Sequence, residues 1–178
     1  FDRVIANPPF RNGIEARDPE WLAQRVAWKA RFETARGAFD SYVPFVQRSV
    51  ELLRSGGRLA IILPDKWLAA SYGAALRSWL ARETVLLQLL PAPRTRPFDD
   101  ADFEPLVLLC ERRGGGTPSV DLQVDRLDGG LRALDSHRIP QAEALALAEE
   151  GWGPLLKPPS KRLRPLESGP MLGEGRDV

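Results

Sequence analysis

Four consecutive residues near the start of the chain, Asn7-Pro8-Pro9-Phe10, combine two hydrogen-bond acceptors with an aromatic ring. The side-chain carbonyl of Asn7 is one acceptor, and the backbone carbonyl of Pro8 is the other, without a competing N–H because Pro9 lacks one. Two acceptors on a rigid turn can hold the two protons of a single amino group. On adenine that group is a poor nucleophile, and holding it in tetrahedral form directs its lone pair at an electrophilic methyl group.

Phe10 adds a stacking surface to this turn. Stacking on an aromatic ring stabilises a base by roughly 1–3 kcal/mol, which helps offset the few kcal/mol needed to pull a base out of a duplex. Taken alone, the tetrapeptide is equally typical of a turn that ends a strand and buries its phenylalanine. The surrounding elements must decide between the two interpretations.

The tetrapeptide directly follows an apolar run, residues 1–6, whose β-branched Val4 and Ile5 predict a short buried strand. In open parallel α/β sheets, ligands bind beyond the carboxyl ends of the strands, so we expect this turn at a rim where a site would lie. Residues 11–37 predict a long insertion that contains a loosely amphipathic helix.

Helices and apolar strands alternate in the rest of the first half. Apolar side chains recur at three- and four-residue spacing before Gly56-Gly57, and Asp65 is placed to cap a second helix. Apolar strands on either side of such helices are typical of right-handed crossover units on a mostly parallel sheet. The predicted strands cover residues 58–63, 84–90 and 105–111, and the predicted helices cover 39–54, 66–82 and 139–151.

The second half of the chain has a different pattern. Residues 119–127 alternate apolar and polar side chains, which predicts a half-exposed antiparallel strand. From Trp152 onward, Pro and Gly are frequent and Lys and Arg follow, which is typical of a linker. We therefore expect a catalytic unit over residues 1–135, and a helix with a linker towards a further region over 136–178.

Composition excludes several classes of protein. The 25 basic and 24 acidic residues give a net charge of +1, so contact with a polyanion must come from a local patch. Cys110 is the only cysteine, which excludes an internal disulfide and a multi-cysteine zinc site. Asp99, Asp100 and Asp102 are interpreted as a polar loop rather than a metal site. No apolar run approaches the roughly 20 residues of a membrane helix and no signal peptide is seen, so we expect a cytoplasmic protein.

Beyond the tetrapeptide, longer strings of residues resemble one family. FDRVIANPPF resembles the (N/D)PP(Y/F) catalytic motif of amino-methylating, S-adenosylmethionine-dependent methyltransferases. The segment GAFDSYVPFVQRSVELLRSGGRLAIILPDKWLAASYGAALRSWL resembles the Eco57I-like, gamma-type adenine-specific DNA methyltransferases of restriction-modification systems, and the resemblance covers roughly residues 1–113. It implies an α/β, Rossmann-like methyltransferase fold, of which this chain would form the C-terminal half of a mixed, mostly parallel sheet.

The resemblance also implies roles for individual residues. Asn7, Pro8, Pro9 and Phe10 would be the catalytic and base-stacking positions, acting on an adenine of double-stranded DNA. Phe98 falls where the family places a second aromatic against the target base, although a phenylalanine that closes the sheet edge is an equal alternative.

Basic residues are the candidates for phosphate contacts. Arg94 and Arg96 in the loop after the 84–90 strand would bind phosphates, with solvated surface as the alternative. Lys157, Lys161, Arg162 and Arg164 in the tail are weaker candidates for the same role.

Other residues that match the family are interpreted structurally. Tyr42, Trp67, Tyr72 and Trp79 are assigned to core packing. The remaining two assignments are Asp40 as a helix cap and Arg77 as an internal salt-bridge partner.

The family's glycine-rich cofactor loop, and the acidic residue that holds the ribose, precede the Asn-Pro-Pro motif, whereas only FDRVIA precedes it here. We therefore expect the main S-adenosylmethionine site upstream and the DNA-reading region downstream. RNA adenine methyltransferases and protein glutamine methyltransferases share the motif and stay open as alternatives. A third alternative is an inert fragment that acts only as a structural or interaction unit.

Overall fold

A mixed six-stranded sheet forms the centre of the computed structural model, which describes residues 1–10, 18–92, 104–115, 119–128 and 132–158. The strands lie in the order β1-β2-β4-β3-β5-β6. The strands are β1 (Arg3–Ala6), β2 (Arg58–Pro64), β3 (Thr84–Pro91), β4 (Pro105–Arg112), β5 (Leu122–Leu127) and β6 (Ala133–Ile139), and the helices are α1 (Pro19–Arg31), α2 (Tyr42–Glu51), α3 (Ala74–Glu83) and α4 (Gln141–Ala146).

Strand directions confirm the α/β class and the mixed sheet, but parallel pairs do not predominate. Within the described residues, β1 with β2 and β3 with β5 pair in parallel. β4 runs antiparallel to both β2 and β3, and β5 runs antiparallel to β6. The sequence of β4 is an apolar run because the strand lies between two neighbouring strands. An apolar run has the same pattern in a parallel and in an antiparallel strand, so the sequence did not indicate the direction of β4.

One face of the sheet supplies the core. Leu59, Ile61 and Leu63 of β2 are at most 1% exposed, and their register partners on β4 are as deeply buried. Helix α2 contacts β2 and α3 contacts β3 on this side, where the alternating residues meet the apolar faces of the helices. The residues between them on β2 are only half-buried.

Strand β1 corrects the expectation of a buried strand. It pairs with β2 at the end of the strand order, and Ile5 is 86% exposed. The β-branched residues gave the correct element, because strand propensity and burial are separate properties.

The predicted helix over 66–82 is two 3₁₀ turns, Asp65–Leu68 and Ser71–Gly73, followed by α3. Pro64 occupies the N-cap position and Asp65 is the first residue of the 3₁₀ turn, so the predicted Asp65 cap is wrong. Gly73 explains the interruption, because an added Cβ there would lie 2.0 Å from the Trp67 carbonyl oxygen. The backbone approaches itself too closely for one continuous helix.

The C-terminal part of the described chain also differs from expectation. Sequence patterns missed β6, and α4 is shorter than the predicted 139–151 helix. Trp152 is fully buried, packs edge-on against Trp67 with ring centroids 5.6 Å apart, and donates its indole N–H to the Ala144 carbonyl. The prediction that a linker begins at Trp152 is therefore wrong for residues 152–158. The predicted division of the chain after residue 135 stays a prediction, although β6 continues across that position. Among the described residues, no helix is long and apolar enough to cross a membrane.

Candidate active site

The Asn7-Pro8-Pro9-Phe10 turn lies at the carboxyl end of β1, where β1 and β2 run side by side in the same direction. Asn7 and Pro9 are exposed, Pro8 is buried and Phe10 is half-buried. The turn therefore stands at the rim of the sheet with one side anchored and the Asn7 side open.

Two contacts attach this turn to the start of α2. The hydroxyl of Ser41 donates a 2.7 Å hydrogen bond to the Pro9 carbonyl. The ring of Phe10 meets the ring of Tyr42 edge-on, with centroids 6.2 Å apart and an interplanar angle of 78°. Edge-to-face pairs at this separation are favourable because the positive edge of one ring faces the negative face of the other.

A chain of hydroxyl groups continues from Tyr42. The Tyr42 and Tyr72 hydroxyls are 2.8 Å apart, and Tyr72 donates to Oδ2 of Asp40 at 3.1 Å. Burial, with the neighbouring hydroxyl and carboxylate, raises the pKa of Tyr42 well above its usual value. Burial also raises the pKa of Tyr72, to about 12. Both phenols are therefore neutral at ordinary pH, and they act through hydrogen bonds rather than through proton loss.

These contacts settle three sequence expectations. Tyr42 is core, as predicted, at 1% exposed. Asp40 is not the helix cap, because Ser41 occupies the N-cap position and Asp40 accepts from Tyr72 instead. Trp67 and Trp79 are buried as expected, and Tyr72 packs against the core while its half-buried side chain also lines an open cleft.

The cleft beside Tyr72 has a volume of about 420 Å³. Its polar wall is the exposed Arg36, whose Nε donates to the Glu33 carbonyl at 3.1 Å. The lining residues are Arg36, Gly37, Ala38, Ser71, Tyr72, Ala74 and Ala75.

The segment that carries Tyr72 is held by Arg77. This guanidinium is fully buried and donates to four backbone carbonyls. Two of them, Trp67 and Ala70, belong to the segment around Tyr72, and the other two, Ala148 and Glu149, follow α4. Arg77 was expected to form an internal salt bridge, but within the described residues its partners are carbonyl oxygens.

Several predicted site residues lie outside the described residues. These are Phe98, Arg94 and Arg96, together with Lys161, Arg162 and Arg164 of the tail, so their roles stay predictions. Lys157 is described and exposed. Among the described residues, no group of three or more His, Cys, Asp or Glu side chains could hold a metal ion.

Sequence patterns did not identify Ser41 as part of the site. A serine before a helix is normally a cap, and no local pattern shows that its hydroxyl reaches a carbonyl 32 residues away. His137 is half-buried, and its Nε2 lies 2.8 Å from the Leu155 carbonyl oxygen.

Solved structures define the class of fold. The type IIG restriction endonuclease BpuSI matches with a TM-score of 0.65 and 16% identity, over 85% of this chain and 20% of that one. A protein described as a putative class I S-adenosylmethionine-dependent methyltransferase from Listeria monocytogenes matches with a TM-score of 0.52 and 18% identity, over 85% of this chain and 42% of that one. The predicted Rossmann-like methyltransferase fold is confirmed.

Sequence comparison gives the family. The model of the Eco57I restriction-modification methylase matches residues 1–96, so the chain belongs to that family, as the sequence resemblance predicted. The type II methyltransferase M.PaeR7I of Pseudomonas aeruginosa is 33% identical over 130 residues, which are 68% of this chain and 22% of that protein. M.XhoI of Xanthomonas vasicola is 35% identical over 113 residues, 63% of this chain and 20% of that protein. The chain thus spans about a fifth of the length of these relatives.

Proposed function

We propose that the intact protein is a site-specific DNA methyltransferase that transfers a methyl group to the exocyclic amino nitrogen of a flipped adenine. The observation that carries this proposal is the exposed Asn7 on a rigid turn beside Phe10, at the rim of the sheet. Membership of the Eco57I restriction-modification methylase family supports it, and a role in restriction-modification or phage defence follows from the same membership. DNA as the substrate would place the activity in the cytoplasm.

Two carbonyl oxygens would do the chemical work. The Asn7 side chain and the Pro8 backbone would accept the two amino protons, so that the nitrogen lone pair points away from the ring. The Pro9 carbonyl already accepts from Ser41, which leaves the Pro8 carbonyl as the backbone acceptor for the substrate. Orientation and fixed dipoles replace a strong base in this scheme.

Phe10 would stack on the extruded base, and Phe98 is proposed as a second aromatic contact. Arg94 and Arg96 are proposed to bind phosphates of the double-stranded DNA, which would make the affinity depend on salt concentration. We also keep the division into a catalytic half over 1–135 and a region over 136–178 that leads towards DNA recognition.

The family implies S-adenosylmethionine, which supplies an electrophilic methyl group when bound. The described residues fit only the methyl end of this cofactor. The exposed amide of Asn7 lies at the strand end, whereas Gly56 and Gly73 serve other elements: Gly56 lies in the turn before β2 with φ +74°, and Gly73 packs against the Trp67 backbone. We propose that residues upstream of Phe1 hold the adenosine and methionine parts, and that Asn7 borders the methyl group.

A competition experiment tests the proposal. The full-length protein is incubated with methyl-labelled S-adenosylmethionine and equal amounts of duplex DNA, ribosomal RNA and a release-factor substrate. Label is expected in DNA, and Asn7→Ala is expected to lower its incorporation by about 100-fold or more, in the range known for loss of one positioned donor or acceptor. Label in RNA or protein would favour the alternatives that share the motif. Absence of label from all three substrates would favour an inert structural role.

A further inference from the structure

We propose that Ser41 and Tyr42 are positioning residues, which hold the Asn7-Pro8-Pro9-Phe10 turn in the geometry that the substrate requires. This inference rests on the proposed function. Neither side chain needs to touch the substrate, since each acts through a residue of the turn. Ser41 would act through Pro9, and Tyr42 would act through Phe10.

The composition of the turn creates the need for an outside anchor. Pro8 and Pro9 have no backbone N–H, so the middle of the turn cannot hold itself by donating main-chain hydrogen bonds. A hydroxyl donor from another element is one way to fix the carbonyl groups. Ser41, which is 3% exposed, provides this donor at 2.7 Å from the Pro9 oxygen.

The side chain of Ser41 makes this bond rather than the capping bond that is usual for a serine at the start of a helix. Serine at an N-cap normally accepts a hydrogen bond from a backbone N–H of the first helical turn. Here Ser41 stands at the N-cap of α2 with φ −55° and ψ −32°, and its side chain makes no capping hydrogen bond. The hydroxyl donates to the carbonyl of Pro9 in the turn instead.

The bond has a geometric consequence for Phe10. The Pro9 carbonyl and the Phe10 N–H belong to one planar peptide unit, so an anchored carbonyl fixes the plane from which Phe10 extends. The edge-on contact with Tyr42 then restricts the Phe10 ring from the other side. Both of these contacts come from the start of α2, and both restrict the orientation of the Phe10 ring.

Tyr42 is itself fixed at its far end. Its hydroxyl pairs with the Tyr72 hydroxyl, and Tyr72 donates to the Asp40 carboxylate. Asp40, Ser41 and Tyr42 are consecutive, so one short segment carries both anchors and the end of the hydroxyl chain. A disturbance of this segment should therefore reach the turn before it reaches the rest of the fold.

The chain offers a matched control for Ser41. Ser49 lies on the same helix and is 8% exposed, so Ser49→Ala removes the same hydroxyl from a similarly buried site away from the turn. Ser41→Thr keeps the donor and serves as the rescue variant. Tyr42→Phe keeps the ring contact with Phe10 but breaks the link to Tyr72.

Steady-state methylation of duplex DNA by the full-length protein gives the first readout. We expect kcat to fall about tenfold in Ser41→Ala and about threefold in Tyr42→Phe, while KM for DNA stays within about twofold, because a mispositioned acceptor weakens the transition state more than binding. Ser41→Thr should recover most of the loss and Ser49→Ala should stay within about twofold of the parent. Equal kcat values for Ser41→Ala and Ser49→Ala would overturn the inference.

A second readout is independent of catalysis. With 4-fluorophenylalanine at position 10 of the full-length protein, the ¹⁹F resonance reports the environment of that ring. One narrow resonance is expected in the parent and in Ser49→Ala, and a shifted or split resonance in Ser41→Ala. An unchanged resonance in Ser41→Ala would overturn the positioning role even if the parent methylates no adenine. A parent without adenine methylation, but with the expected ¹⁹F pattern, would overturn only the proposed function.

Discussion

Removal of the Arg77 guanidinium is expected to loosen the segment that carries Tyr72. Arg77 is fully buried on α3, and its donors reach four carbonyl groups in two separate segments. Arg77→Met keeps most of the aliphatic volume and removes every donor. Burial lowers the pKa of this guanidinium, but an arginine remains protonated, so charged donors are lost.

The contacts give the size of the effect. The bonds to Trp67 and Ala148 are fully buried, whereas those to Ala70 and Glu149 lie where water can replace the donor. A buried carbonyl left unpaired costs about 1–3 kcal/mol, and each of the two segments contains one such carbonyl, so each loses about 2 kcal/mol. Since each 1.4 kcal/mol is a factor of ten, local opening of each segment should become about 30-fold more frequent.

Hydrogen–deuterium exchange of the full-length protein measures this opening. Peptides that cover residues 65–73 and 144–152 should both exchange faster in Arg77→Met, by about 30-fold each. Arg82→Met is the control on the same helix, because Arg82 is half-exposed and makes one ion pair with Glu33 at 3.3 Å. Such a pair contributes about 0–1 kcal/mol, so exchange should change only a few-fold. An Arg77→Met effect no larger than that of Arg82→Met would refute the reasoning.

Three further predictions concern stability and reactivity. Gly73→Ala should lower the melting temperature by several degrees, because its Cβ would lie 2.0 Å from the Trp67 carbonyl oxygen, and an unchanged melting temperature would contradict this close approach. Cys110 is fully buried and burial raises the pKa of its thiol to about 12, so the native protein should resist iodoacetamide at pH 8, with rapid alkylation as the contrary result. Burial alone would raise the pKa of Asp125, but hydrogen bonds from Ser136 and two glutamines outweigh it and lower the pKa. A carboxyl with a lowered pKa stabilises the fold above its unfolded pKa of about 3.9, and that contribution is lost as pH falls through the folded pKa. The melting temperatures of the parent and Asp125→Asn should therefore converge below about pH 4, and a constant difference down to pH 2.5 would contradict the assignment.

Local chemistry predicted the turn and most of the strands. The prolines after residue 6, the Gly56-Gly57 pair before β2 and the apolar runs are all signals carried by adjacent residues, and the corresponding turns and strands formed, although α2 ends earlier than predicted, at Glu51. The family resemblance added the fold, because its motif extends well beyond the tetrapeptide.

Patterns of adjacent residues could not predict contacts between residues far apart in the sequence. Burial of Trp152 depends on Trp67, 85 positions earlier, and the donor of Ser41 finds its acceptor 32 positions earlier. The carbonyl partners of Arg77 were missed for the same reason, because every residue has a backbone carbonyl and the sequence does not indicate which of them accept a hydrogen bond. In this chain β1 lies at the end of the strand order with Ile5 exposed, although its residue types favour burial.

Identification of the methylated nucleoside tests the central claim most directly. Duplex DNA is treated with the full-length protein and labelled cofactor, digested to nucleosides and separated by mass. Label on the exocyclic amino nitrogen of adenine, lost in Asn7→Ala while DNA binding is retained, is the expected result. Label on cytosine, or full adenine methylation by Asn7→Ala, would contradict the role of the Asn7-Pro8-Pro9-Phe10 turn.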